Sequence, residues 1–97
     1  MDSIKNTRYS IVGYLSGDQI LNSSYSVVGY VRGDEIYNSS FNRIGYIRSG
    51  EILNSSYSRV GYVQNGEIYT ALWNPPIGYF EGGEAAGAAA ALLLDLL

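Results

Sequence analysis

The sequence predicts a mainly β fold: five tandem 16-residue β-hairpin repeats closed around a pseudo-five-fold axis, with a C-terminal apolar helix plugging or capping the ring. Three observations predict it. Glycines recur at Gly13, Gly29, Gly45 and Gly61, each followed by a tyrosine, while Ile4, Ile20, Ile36, Ile52 and Ile68 keep the same spacing. Two-residue turn signals stand between strand-sized runs. The chain then ends in an alanine–leucine stretch of different character. A fixed period marks supersecondary units that cannot bury their apolar faces alone.

The repeats occupy residues 4–19, 20–35, 36–51, 52–67 and 68–83, and the tail 84–97, within a single domain of 97 residues. Each unit carries two runs rich in β-branched and aromatic residues, such as Val60-Gly61-Tyr62-Val63 and Glu67-Ile68-Tyr69-Thr70. Asn65-Gly66 separates that pair of runs, and Asn-Gly favours a type I′ hairpin turn because both residues tolerate positive φ. Ser49-Gly50 takes the same slot one repeat earlier. Gly17-Asp18 and Gly33-Asp34 put glycine first, which suits type II′. The hairpin therefore straddles the repeat boundary.

A two-residue turn sets the register. Arg32 faces Glu35 and Arg48 faces Glu51, and these opposite charges are expected to close their turns. Next, Val31 faces Ile36, Tyr30 faces Tyr37 and Gly29 faces Asn38. Side chains alternate across a strand. One face is thus thin and apolar, with the isoleucines and glycines, and suits a tight centre. The other carries the tyrosines and charges and suits contacts between neighbouring hairpins. The connector Asn-Ser-Ser-Tyr-Ser is turn chemistry, in which the asparagine bonds the backbone ahead of it.

The fifth repeat departs from the rest. Trp73-Asn74-Pro75-Pro76 replaces the connector and moves the Gly-Tyr pair to Gly78-Tyr79. An atypical copy is expected where an array ends. Five units can stack as an open solenoid or close as a ring. The ring is favoured because an open array needs atypical caps at both ends, and the first repeat is nearly regular. The tail is too short to span a bilayer, and Asp95 interrupts it. A helix without a polar face must be surrounded, so the tail belongs inside or across the ring.

The units Asn22-Ser23-Ser24-Tyr25-Ser26-Val27-Val28-Gly29-Tyr30 and Asn54 to Tyr62, with the Ala-rich tail, resemble the five-fold β-flower proteins of bacteria. The resemblance covers about nine-tenths of the chain, judged by the extent of the repeat. It implies hairpin petals around a pseudo-five-fold axis, no known activity, and a secreted or periplasmic location. Members often end in a Phe-rich run, whereas this tail is Leu-rich. The start, Met1-Asp2-Ser3-Ile4-Lys5-Asn6, lacks a basic then apolar leader. The regularity of the copies is also compatible with a designed or generated relative of a natural family.

Composition bounds function. The absence of His and Cys removes Ser-His-Asp and Cys-His catalysis, thiolate zinc sites and disulfides. A formal net charge of −3 without a basic run argues against nucleic acid as partner. The turn-tip acids Asp18, Asp34, Glu35, Glu51 and Glu67 are spread over successive petals, so they do not converge as calcium ligands. The Asn-Ser-Ser sequons are a by-product of turn composition. Glu81-Gly82-Gly83-Glu84 lacks the Lys and hydroxyl of a phosphate loop and serves as the hinge to the tail. The chain is therefore expected to be a monomeric, non-catalytic structural or interaction module, without metal or cofactor. The alternative is a carbohydrate or cell-envelope binding module that stacks sugars on Tyr14, Tyr30, Tyr46, Tyr62 and Tyr79.

Overall fold

Alternating β-branched or aromatic residues build ten short strands, and turn residues end each one. The computed structural model describes residues 2–71, 73–82, 85–94 and 96. The strands are β1 (Asp2–Asn6), β2 (Ile11–Ser16), β3 (Gln19–Asn22), β4 (Val27–Arg32), β5 (Glu35–Asn38), β6 (Arg43–Arg48), β7 (Glu51–Asn54), β8 (Arg59–Gln64), β9 (Glu67–Tyr69) and β10 (Gly78–Phe80). They pair antiparallel with their sequence neighbours, and β10 pairs with β1, so the sheet closes into a barrel. Closure removes the exposed edges that the open alternative would carry.

The turns hold the hairpin register. Arg32, Val31, Tyr30 and Gly29 lie opposite Glu35, Ile36, Tyr37 and Asn38. The next hairpin repeats this from Arg48–Glu51 to Gly45–Asn54. Gly17 and Gly33 have positive φ, and so do both residues of Ser49-Gly50 and Asn65-Gly66. Those are the patterns of II′ and I′ turns.

The charged rung corrects the expected turn-closing ion pairs. Arg32 and Arg48 stand opposite Glu35 and Glu51 in register, but the carboxylates turn to the other neighbouring strand. Arg43 Nη1 donates to Glu35 Oε2 at 2.8 Å, and Arg59 Nη1 to Glu51 Oε2 at 2.9 Å. Arg32 Nε instead lies 3.8 Å from Asp18. Long side chains reach diagonal neighbours across a ladder. Here the diagonal wins because Arg43 and Arg59 also lie over the rings of Tyr46 and Tyr62.

The thin face points inward. Ile4, Ile20, Ile36, Ile52 and Ile68 have no exposed surface. Within this wall lies α1 (Ala86–Leu93), shorter than the 84–97 expected. Glu84, Asp95 and Leu97 fall outside the described residues. Ala88, Ala89, Ala90 and Ala91 are fully buried, and α1 contacts strands from β1 and β2 through β4, β5 and β6 to β9 and β10. The helix is therefore enclosed by the barrel rather than laid across its mouth.

Small residues on both sides permit that enclosure. A Cβ on Gly87 would lie 3.0 Å from Val31 Cγ1. Toward the other end, a Cβ on Gly13 would lie 2.5 Å from Leu92 Cδ1, and one on Gly61 2.9 Å from Leu94 Cδ1. The strand glycines thus form sockets for the leucines of the tail. The helix begins beside the Val31–Ile36 rung near the turns and ends beside the glycines near the connectors.

Candidate functional site

The barrel interior is filled, so the outer wall and the connector rim carry the available chemistry. Alternating strand direction puts the odd-to-even connectors at one end and the two-residue turns at the other. The residue after each inward glycine points outward. That places Tyr14, Tyr30, Tyr46, Tyr62 and Tyr79 on the wall, on β2, β4, β6, β8 and β10.

Each regular connector is fastened by its asparagine. Asn38 Oδ1 accepts the backbone N–H groups of Ser40 at 2.9 Å and Asn42 at 3.0 Å. Asn6, Asn22 and Asn54 repeat the arrangement. The loop then turns through an aromatic residue in the left-handed region: Tyr9, Tyr25, Phe41 and Tyr57, with φ between 61° and 67°. That conformation costs a non-glycine residue about 1–2 kcal/mol.

The strain brings each aromatic ring onto a wall tyrosine. Tyr9 stacks on Tyr79 at 5.0 Å between centroids, Tyr25 on Tyr14 at 4.9 Å, Phe41 on Tyr30 at 4.2 Å and Tyr57 on Tyr46 at 4.6 Å. Aromatic pairs contribute about 0.5–1.5 kcal/mol beyond area burial, which offsets much of the strain. Tyr62 lacks such a partner among the described residues. The guanidinium of Arg59 sits 5.2 Å from its ring centroid instead.

Four wall tyrosines therefore have one ring face covered, and Tyr46 is only 9% exposed. The open faces belong to the connector residues, which are 52–67% exposed, and above all to Trp73, at 85%. In the sequence the tyrosines after each glycine stand out as the stacking surface, and the connector aromatics read only as turn chemistry. The signal that could have marked them is an aromatic residue fixed inside an otherwise polar turn in every copy.

The electrostatics of the wall are local. The Tyr37 hydroxyl donates to Glu35 Oε1 at 2.6 Å. That bond, then Arg43, holds the Glu35 carboxyl below the usual range. The same bond pushes the Tyr37 phenol up, and Glu67 does so for Tyr69. Tyr14 and Tyr46 are raised through hydrogen bonds with their stacking partners, and Tyr79 mainly by burial.

Recesses mark the surface among the described residues. One of about 260 Å³ lies between turns and is lined by Leu15, Gly17, Val31 and Gly33. Another, about 90 Å³, lies where β1 meets β10, between Lys5, Tyr9, Tyr79 and Glu81. No three His, Cys, Asp or Glu among the described residues are grouped to hold a metal ion. No helix of the described residues is long and apolar enough to cross a membrane.

Residues 1–94 match the family model described as 5-fold beta-flower protein. No curated protein and no solved structure matches the chain.

Proposed function

The chain belongs to the 5-fold beta-flower family, and from that premise we propose that it is a non-catalytic structural or interaction module working through its outer surface. The observation that carries the reading is the strained connector set. Tyr9, Tyr25, Phe41 and Tyr57 adopt a backbone conformation that the fold would obtain more cheaply with glycine. Backbone strain retained in every regular copy is a reason to look for use. It presents aromatic rings outside a barrel whose centre is occupied by the chain's own helix. In this reading the five hairpins are related by a pseudo-five-fold axis and α1 occupies that axis. The five equivalent, fully buried isoleucines support that arrangement. A broad hydrolase panel is expected to show no turnover. Reproducible turnover abolished by changing a single acid would overturn the reading.

A second reading, carbohydrate binding, draws on the open ring faces of Tyr9, Tyr25 and Tyr57. On this reading the connector rings would do the stacking, since the wall tyrosines beneath them are already covered. Glycan-array binding lost on Tyr25→Ala with the fold intact would support it, and an empty array would dismiss it.

A further inference from the structure

The outer wall does not keep the regularity of the interior. At the start of the first four even strands, β6 and β8 carry Arg43 and Arg59, whereas β2 and β4 carry Ile11 and Val27. The partner position changes in step. Where β5 and β7 carry Glu35 and Glu51, β1 and β3 carry Ser3 and Gln19. Two wall ion pairs have thus been replaced on both sides at once. The replacements leave Ile11 and Val27 exposed at 41% and 38%.

These positions are neighbours in the barrel. Passing from the β9–β10 connector through β1 and β2 to the β3–β4 connector, the rim presents Trp73, Tyr9, Ile11, Tyr25 and Val27. Pro75 and Pro76 stiffen the loop that holds Trp73. The cations of this sector lie nearer the connector end, with Glu81 on the turn side of the recess it shares with Lys5. Lys5 and Arg8 lie at the connector end, and neither is in an ion pair among the described residues. Every acid among the described residues, Asp2, Asp18, Asp34, Glu35, Glu51, Glu67 and Glu81, is in a turn or at the turn end of its strand.

We propose that the rim formed by Trp73, Tyr9, Ile11, Tyr25 and Val27 docks on an anionic lipid surface, with Arg8 and Lys5 toward the headgroups and the acidic turn end facing away. Trp and Tyr favour the boundary between headgroup and acyl chain. Exposed aliphatic side chains beside them supply the apolar part of interfacial binding, and cations the attraction to anionic lipid. A sugar site has little use for Ile11 and Val27 beside its stacking rings. A second copy meeting this face across a two-fold axis would bring Arg8 and Lys5 toward their own counterparts. The proposal rests on the reading of the chain as an interaction module and names its partner.

Trp73 is the single tryptophan and reports directly on docking. Its emission is expected to shift to the blue when the full chain meets phosphatidylglycerol–phosphatidylcholine vesicles, but not pure phosphatidylcholine. Arg8→Ala should weaken partitioning roughly fivefold, the value of one surface cation near anionic lipid. The Ile11→Asp/Val27→Asp double variant should abolish the shift, while Ser55→Asp, on the opposite part of the rim, should keep it. Trp73→Ser, read by vesicle co-sedimentation, tests the same face without altering a strand. No shift, or a shift unchanged in the folded double variant, overturns the proposal. So does a shift without vesicles that tracks a doubling of mass, which assigns the face to a second copy. Either result leaves the interaction-module reading standing, whereas turnover in the hydrolase panel removes that reading by itself.

Discussion

The barrel interior and the connector rim are built from the same repeats, yet they tolerate variation differently. Inside, the same residue, isoleucine, fills the first core position of every copy, and all five are fully buried. On the rim, the ring is Tyr9, Tyr25, Phe41 or Tyr57, and Trp73 in the irregular last connector. The reason is the number of partners. Each inward isoleucine lies opposite a glycine of the next strand, so all five meet nearly the same geometry, while the rung that faces the single helix varies through Leu15, Val31, Ile47 and Val63. A rim side chain needs only one wall tyrosine and water. Close-packed interiors register changes of a single methylene, whereas exposed contacts do not.

Removing residues 85–97 should break the interior side of this comparison completely. Leu92, Leu93, Leu94 and Leu96 pack against the core and the alanines are buried. Full burial of one leucine contributes about 1.5–3 kcal/mol, against net stabilities of about 5–15 kcal/mol for whole domains. Circular dichroism should show an unfolded or aggregated chain. A folded, strand-rich truncation would mean that the barrel stands without its contents.

Gly13→Val comes next. Its side chain would meet Leu92 and the backbone of Leu21, and overpacking of this kind costs about 1–3 kcal/mol or more. At Gly17, by contrast, a Cβ has open space but φ is +62°. Gly17→Ala should therefore cost only about 1–2 kcal/mol of backbone strain. Equal melting temperatures for the two variants would show that the glycine sockets are slack.

The rim makes an inverted prediction. Tyr57→Ala loses the stack on Tyr46 and keeps the strained backbone, whereas Tyr57→Gly loses the stack and releases the strain. The glycine variant should be more stable than the alanine variant by roughly 1 kcal/mol. Thermal melts in the opposite order would place the strain elsewhere.

The smallest effect concerns pH near neutrality. With no His or Cys, no side chain has an ordinary pKa between pH 5 and 8. The melting temperature should be nearly flat there. Glu35 has a lowered folded-state pKa, so its contribution is present above the ordinary carboxylate value of about 4.3 and lost as pH falls through the depressed one. Tyr37 and Tyr69 have raised folded-state pKa values, so theirs is present below about pH 10 and lost as pH rises through the raised ones. Melts across the pH range should show shoulders falling on both sides. A transition near pH 7 would contradict this.

The sequence by itself determined the hairpins, their register and the inward face, because two-residue turns and period-two alternation are local rules. Gly29 opposite Asn38, and Asn38 bonding its own connector, follow from residues close together in the chain. The tertiary structure decided what crosses between units. Glu35 chose Arg43 over Arg32 because the pairing of β5 with β6 across the repeat boundary sets a diagonal guanidinium beside it, with a ring beneath. Tyr25 left its turn for Tyr14, accepting a left-handed backbone that its residue type disfavours. The tail entered the barrel because leucines needed the sockets that glycines on distant strands leave open. A repeat specifies each unit, but the partner of an outward side chain is settled only when neighbouring units pack side by side, because it lies on the next hairpin.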